Sequence, residues 1–246
     1  MISLSVHTVV LDIEGTTGSA GHVHDVLFPY ARERFAGWFA DRRSAAGRSA
    51  VPDALEAVRA DAGDPALTEA DAVALLQRWT DDDVKMPSLK TVQAAIWAAG
   101  YADATLTGHV YPEVPRAIAT WREHGIGVHI YSSGSVDAQR NWFTYSNHGD
   151  LSGLLCGYHD LTTAGGKRSA TSYRKITAAI GTAPRHTVFL SDVAAELDAA
   201  AEAGWQTVGV RRDDDPRGPD VPGHRTVAAL DQLRPTAPAP GPAAPG

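Results

Sequence analysis

Four short apolar runs in the second half of the chain, GVHIY (127–131), LLCGY (154–158), TVFLS (187–191) and QTVGV (206–210), alternate with stretches of helical spacing. That alternation constrains the fold most. Short runs rich in Val and Ile, bounded by glycine and polar residues, read as strands, and helical stretches between them make βαβ units. The helical stretches fall near Val114 to His124, around Trp142 and Phe143, from Tyr173 to Ile180, and over VAAELDAAAEAG, which ends at Gly204. Strands joined in this way lie parallel, with helices covering both faces of the sheet. Another strand lies near the N-terminus, where Val9-Val10-Leu11 leads into Asp12, Glu14 and the turn residues Gly15-Thr16-Thr17.

After that first strand the period changes. Phe28, Ala31, Phe35 and Trp38 recur every three or four residues, as do Val73, Leu76 and Trp79, and then Leu89, Val92 and Ile96. SAAGRSAVPD (44–53) and ADAGDPALTEAD (60–71) between them read as loops or helix starts. The expected organisation is an α/β core from residues 1–20 and 106–233, an all-helical insertion at 21–105, and a Pro/Ala/Gly tail at 234–246. That tail lacks the apolar residues for a core and is expected to be disordered.

With 43% hydrophobic and 21% charged residues, the chain can bury a substantial core. No apolar run reaches the ~18 residues of a membrane span, and the N-terminus lacks a basic start, so no membrane partner and a cytoplasmic location are expected. A net charge of -7 without a basic block argues against nucleic acid. The single cysteine, Cys156, excludes an internal disulfide and reads as a small buried apolar residue.

In an open parallel sheet, ligands bind outside the carboxyl ends of the strands. Here four such ends carry polar residues. On strand alternation Asp12 and Glu14 share a face, and two like charges held together call for a metal, a nucleophile or a proton carrier. Ser132 and Ser133 follow GVHIY on a glycine-containing turn whose N–H groups can hold an oxyanion. Lys167 sits in AGGKRSATSY just before a helix, and TVFLS leads into Asp192, with Glu196 one helical turn later. Together these supply a carboxylate nucleophile, phosphate donors, a balancing lysine and acids for a divalent cation.

The motifs LDIEGTT, DVLFPYAR, LKTVQAAIWAAGY, GHVYPEVP, IYSSGSVDAQ, SYRKI and FLSDVAAEL resemble the enolase-phosphatase (acireductone synthase) family of the haloacid dehalogenase-like superfamily, over about residues 8 to 210. The resemblance implies a Rossmann-like core with a helical cap and a Mg²⁺-dependent phosphatase of methionine salvage. It further implies Asp12 as the nucleophile, Glu14 in the magnesium site and in proton transfer, Ser132 and Ser133 as phosphate binders, Lys167 as the motif lysine, and Asp192 as a magnesium ligand. A small phosphorylated metabolite is the implied partner and a monomer the implied state. The chain departs from the family pattern at His22, His24, His159 and Ala94, in VRRDDD, and in a segment one residue longer before Lys167. Those departures leave open another phosphorylated keto compound or sugar as substrate. A non-catalytic binder on this fold is the remaining alternative, and joint retention of Asp12, Lys167 and Asp192 speaks against it.

Overall fold

The computed structural model describes residues 1–43, 54–84, 86–213 and 215–238, so the 44–53 loop expectation lies outside the described residues. The chain divides into two compact units, one of residues 1–20 with 107 onward and one of residues 21–106. Leu106, expected in the core, belongs to the helical unit. Its N–H bonds Gly100 O at 2.8 Å, and its side chain is buried.

The first unit contains strands β1 (Ile2–Ser5), β2 (Thr8–Leu11), β3 (Gly127–Tyr131), β4 (Gly157–His159), β5 (Thr187–Ser191), β6 (Gln206–Val210), β7 (Thr226–Val227) and β8 (Leu233–Thr236). Six of them form one parallel sheet in the order β4-β3-β2-β5-β6-β7. Every residue of β2 and β5 is buried, which is why both read as unbroken apolar runs without alternation. The strand order reverses between β2 and β5, and a ligand crevice opens at such a switch point. Leu11 is in register with Ile130 and Leu190, so the chain leaves β2, β3 and β5 at one level.

Helices α6 (Val114–Glu123), α7 (Val136–Thr144), α8 (Ala170–Ile180) and α9 (Ala194–Glu202) complete this unit. α6 packs on β3, α7 on β4, and α9 on β5 and β6 with α8 beside it. Tyr131, Tyr173, Phe189 and Trp205 form the aromatic centre of this core, with the Tyr173 ring meeting the other three edge-on at 5.3–5.5 Å.

Three expectations are corrected in this unit. Residues 234–236 are not tail: β8 pairs in parallel with β1, placing Leu233 opposite Ile2 and Pro235 opposite Leu4, and both Leu233 and Pro235 are buried. A proline fits there because a two-stranded pair leaves a free edge for the residue without an N–H. Residues 239–246 lie outside the described residues. β4 begins only at Gly157, since Ser152–Leu154 forms a 3₁₀ turn. Cys156 therefore precedes an edge strand and is exposed, with the Arg122 guanidinium 2.9 Å from its sulfur.

The second unit is helical among the described residues. α1 (Ala20–His22) continues through a π-helical turn at Val23–Leu27 into α2 (Phe28–Arg43), followed by α3 (Ala54–Ala62), α4 (Glu69–Asp81) and α5 (Pro87–Ala102). Thr68 caps α4 by accepting from Asp71 N, and Pro87 opens α5 where no intrahelical N–H is required. Phe35, Val58, Leu76, Val92 and Ile96 share its core. Among the described residues no helix is long and apolar enough to cross a membrane.

Candidate active site

Asp12 is the first residue past β2, and its N–H still bonds Leu190 O on β5 at 3.0 Å. The chain then folds back sharply: the N–H groups of Thr16, Thr17 and Gly18 all donate to Ile13 O, and Thr17 Oγ1 donates to Asp12 O. Strand alternation thus ends at Leu11. Asp12 is buried and Glu14 exposed. Gly15 adopts φ +71°, the left-handed region that favours glycine, and a Cβ there would lie 2.6 Å from Asp192 Oδ2. The loop after β2 and the end of β5 are therefore pressed together.

Lys167 is the centre of charge. Its buried ammonium lies 2.6 Å from Asp12 Oδ1 and 2.7 Å from Glu196 Oε2, and Ser191 Oγ donates to the same Glu196 oxygen at 2.9 Å. Burial pushes the Asp12 carboxyl up to about 7 against the pull of Lys167, with Glu196 and Asp192 adding like-charge repulsion. Burial also works against the Lys167 ammonium. The carboxylates of Asp12 and Glu196 outweigh it and hold Lys167 above the ordinary lysine value. This group of two acids and one base carries a net negative charge, which a bound cation would balance.

Asp12 and Asp192 end adjacent strands, close enough for the Asp192 charge to raise the Asp12 carboxyl. No group of three or more His, Cys, Asp and Glu side chains gathers for a metal among the described residues. Magnesium needs no such cage, because it keeps several waters and binds through one or two carboxylates. An all-oxygen donor set of Asp12 and Asp192 fits Mg²⁺ and suits zinc less well. Arg217 donates to Asp192 Oδ2, and to Asp215 Oδ2 at 2.6 Å.

Ser132 is buried at the end of β3, its N–H bonded to His159 O, and Ser133 is exposed on the turn beyond. Gln139 of α7 holds this turn from below: its Nε2 donates to Gly134 O at 2.7 Å and to His159 O at 2.8 Å. His159 lies at the end of β4, stacked on His129 at 5.5 Å, and burial keeps its imidazole pKa below the usual value. His22 and His24 belong to the helical unit, where the His24 ring meets Phe28.

The model of the haloacid dehalogenase-like hydrolases matches residues 6–204. The enolase-phosphatase E1 of Streptomyces avermitilis is 47% identical over 214 residues, 86% of this chain and 87% of that protein. That of Pectobacterium carotovorum is 44% identical over 228 residues, 93% and 96% of the two chains. This chain belongs to the enolase-phosphatase family of haloacid dehalogenase-like hydrolases. The crystal structure of the UTR4 protein of Saccharomyces cerevisiae aligns with a TM-score of 0.72 at 29% identity, covering 91% of this chain and 97% of that one. The family shows an α/β enzyme of the phosphatase kind.

Among the candidate residues, sequence reasoning placed Asp12, Lys167 and Asp192 at strand ends or helix starts, where the fold brings them together. It read Glu196 as one more acid for a cation; the structure places it on Lys167. It missed Arg212, whose buried guanidinium donates to Thr16 O and to Glu113 Oε1 at 2.6 Å and stacks on Tyr111 at 3.8 Å. Two consecutive arginines directly after the buried strand β6 were the available signal.

Proposed function

We propose that this phosphatase is a bifunctional, Mg²⁺-dependent enolase-phosphatase of methionine salvage that converts 2,3-diketo-5-methylthiopentyl-1-phosphate to acireductone. The observation carrying the chemistry is the buried Asp12–Lys167–Glu196 group at the switch point, with Asp192 beside it. In the hydrolytic half, Asp12 attacks phosphorus and the organic oxygen leaves. An aspartyl-phosphate forms, and water attacking phosphorus restores the carboxylate and releases inorganic phosphate. Lys167 neutralises charge on the phosphoryl oxygens, and Ser132 and Ser133 orient them. Enolisation requires a base for a proton beside a carbonyl, and we assign it to Glu14, the exposed carboxylate of the same loop. Magnesium, held by Asp12 and Asp192 with the Glu14 loop, supplies positive charge for the phosphoryl and enolate oxygens when bound.

The substrate reading rests on the relatives' names and on motifs shared along the whole core. It is tested by comparing phosphate release from the diketone phosphate with release from generic phosphate esters and phosphosugars, while enediol formation is followed by ultraviolet absorbance. The expected result is preferred turnover of the diketone phosphate with enediol appearing. Equal turnover of simple sugar phosphates without enediol would contradict the enolase half and leave a phosphatase of another substrate.

A further inference from the structure

The ammonium of Lys167 sits at the end of a flexible four-carbon stem, so its position against Asp12 depends on what fixes the backbone beneath it. That backbone follows two glycines. Gly165 has φ +113°, where only glycine is at ease, and a Gly-Gly pair loses more conformational freedom on ordering than any other dipeptide. Something must hold it.

Three hydroxyls do so, one for each of three consecutive carbonyls. Tyr131 Oη donates to Gly165 O at 2.7 Å, Ser172 Oγ to Gly166 O at 2.8 Å, and Tyr173 Oη to Lys167 O at 2.7 Å. Ser172 is so close that a Cβ on Gly165 would lie 2.7 Å from its Oγ. Two donors stand at the start of α8, and the third is the last residue of β3, directly before Ser132. We propose that Tyr131, Ser172 and Tyr173 are positioning residues that clamp the 165–167 backbone and thereby set the Lys167 ammonium between Asp12 and Glu196. Tyr131 further ties the lysine loop to the strand end that carries the phosphate-binding serines. Burial raises the phenol pKa of both tyrosines, so each stays a neutral donor throughout the working pH range. Lys167 also lies 5.9 Å from the ring centroids of Tyr131 and Phe189, so changing either tyrosine to Phe keeps ring packing and removes only the hydroxyl.

The role in turnover rests on the phosphatase reading; the clamp itself does not, and the test separates them. Competitive acylation of the intact protein with acetic anhydride, read by mass spectrometry, compares Lys167 with exposed Lys175 of α8. Tyr173→Phe and Ser172→Ala should each raise the Lys167:Lys175 labelling ratio about tenfold, equivalent to about 1.4 kcal/mol, the scale of one lost buried hydrogen bond. Thr177→Val is the control: it gives up hydrogen bonds to the Tyr173 backbone carbonyl and from Trp205 Nε1, neither of which touches residues 165–167, and should leave the ratio at the wild-type value. An unchanged ratio in Tyr173→Phe and Ser172→Ala overturns the proposal, as does an equal rise in Thr177→Val. On the same preparations kcat for phosphate release should fall about tenfold in the clamp variants with KM within twofold, while Thr177→Val lowers only Tm. Raised labelling with wild-type kcat overturns the positioning role. Raised labelling in a protein whose wild type releases no phosphate supports the clamp and removes the phosphatase reading.

Discussion

Gly15→Ala is a small change with a large expected effect on the site. At φ +71° an alanine carries a backbone cost of roughly 1–2 kcal/mol. Its Cβ would also stand 2.6 Å from Asp192 Oδ2 and 2.8 Å from Asp192 Cγ, where ordinary van der Waals contact begins at 3.4 Å. Asp192 must therefore withdraw by at least about 0.8 Å, the difference between those distances, and its burial beside Arg217 limits where it can go. A displacement near 1 Å in a catalytic constellation can cost on the order of 100-fold in rate. Gly125→Ala separates strain from collision, since Gly125 has φ +75° with nothing within 4 Å of its Cβ position. Both variants should lose about 2–8 °C in Tm, from ~2–4 °C per kcal/mol in a chain of this size. Only Gly15→Ala should lose about 100-fold in kcat/KM for phosphate release and weaken Mg²⁺ binding by calorimetry. If Gly15→Ala keeps wild-type Mg²⁺ affinity and kcat/KM, the placement of Asp192 against the loop after β2 is wrong.

Asp12→Asn should abolish phosphate release while circular dichroism stays that of the wild type, because an amide cannot form an acyl phosphate; substantial turnover by the verified variant removes the nucleophile assignment. Asp12 must be ionised to attack, and burial holds its carboxyl up to about 7, above the ordinary 3.8. At subsaturating Mg²⁺, kcat/KM should therefore fall about tenfold per pH unit below that value. Raising Mg²⁺ should move the break to lower pH, because a cation favours the carboxylate; a break that ignores Mg²⁺ speaks against their sharing a site. Arg217→Ala should tighten Mg²⁺ binding about fivefold, the effect of removing a half-exposed cation worth ~1 kcal/mol from Asp192, and weaker binding in calorimetry would show that Arg217 supports the metal.

The sheet was largely legible because its central strands, β2 and β5, are buried on both faces. GVHIY, TVFLS and QTVGV coincide with β3, β5 and β6 to the residue, since glycine and polar residues bound each apolar run. LLCGY misled because part of its apolar content fills a 3₁₀ turn ahead of a three-residue edge strand. β1 and β8 escaped notice because neither is apolar enough to declare itself, and LRPT becomes a strand only when ISLS lies beside it. The site divides the same way. Asp12 and Asp192 stand where single strands end and Lys167 just before a helix, so local pattern finds them. The Glu196 contact to Lys167, the Arg212 bond to Thr16 and the Tyr131 hydroxyl on Gly165 join segments that only the sheet order brings together.

The account stands on a phosphoryl group carried by Asp12. The most direct measurement is a rapid quench of the enzyme turning over its phosphorylated substrate with Mg²⁺, followed by borohydride reduction and peptide mass spectrometry. An aspartyl-phosphate is reduced to homoserine, so homoserine at position 12 is predicted, absent without substrate and absent in Asp12→Asn. Homoserine at no position during sustained turnover, or reduction at a different carboxylate such as Asp192 or Glu196, would contradict the account.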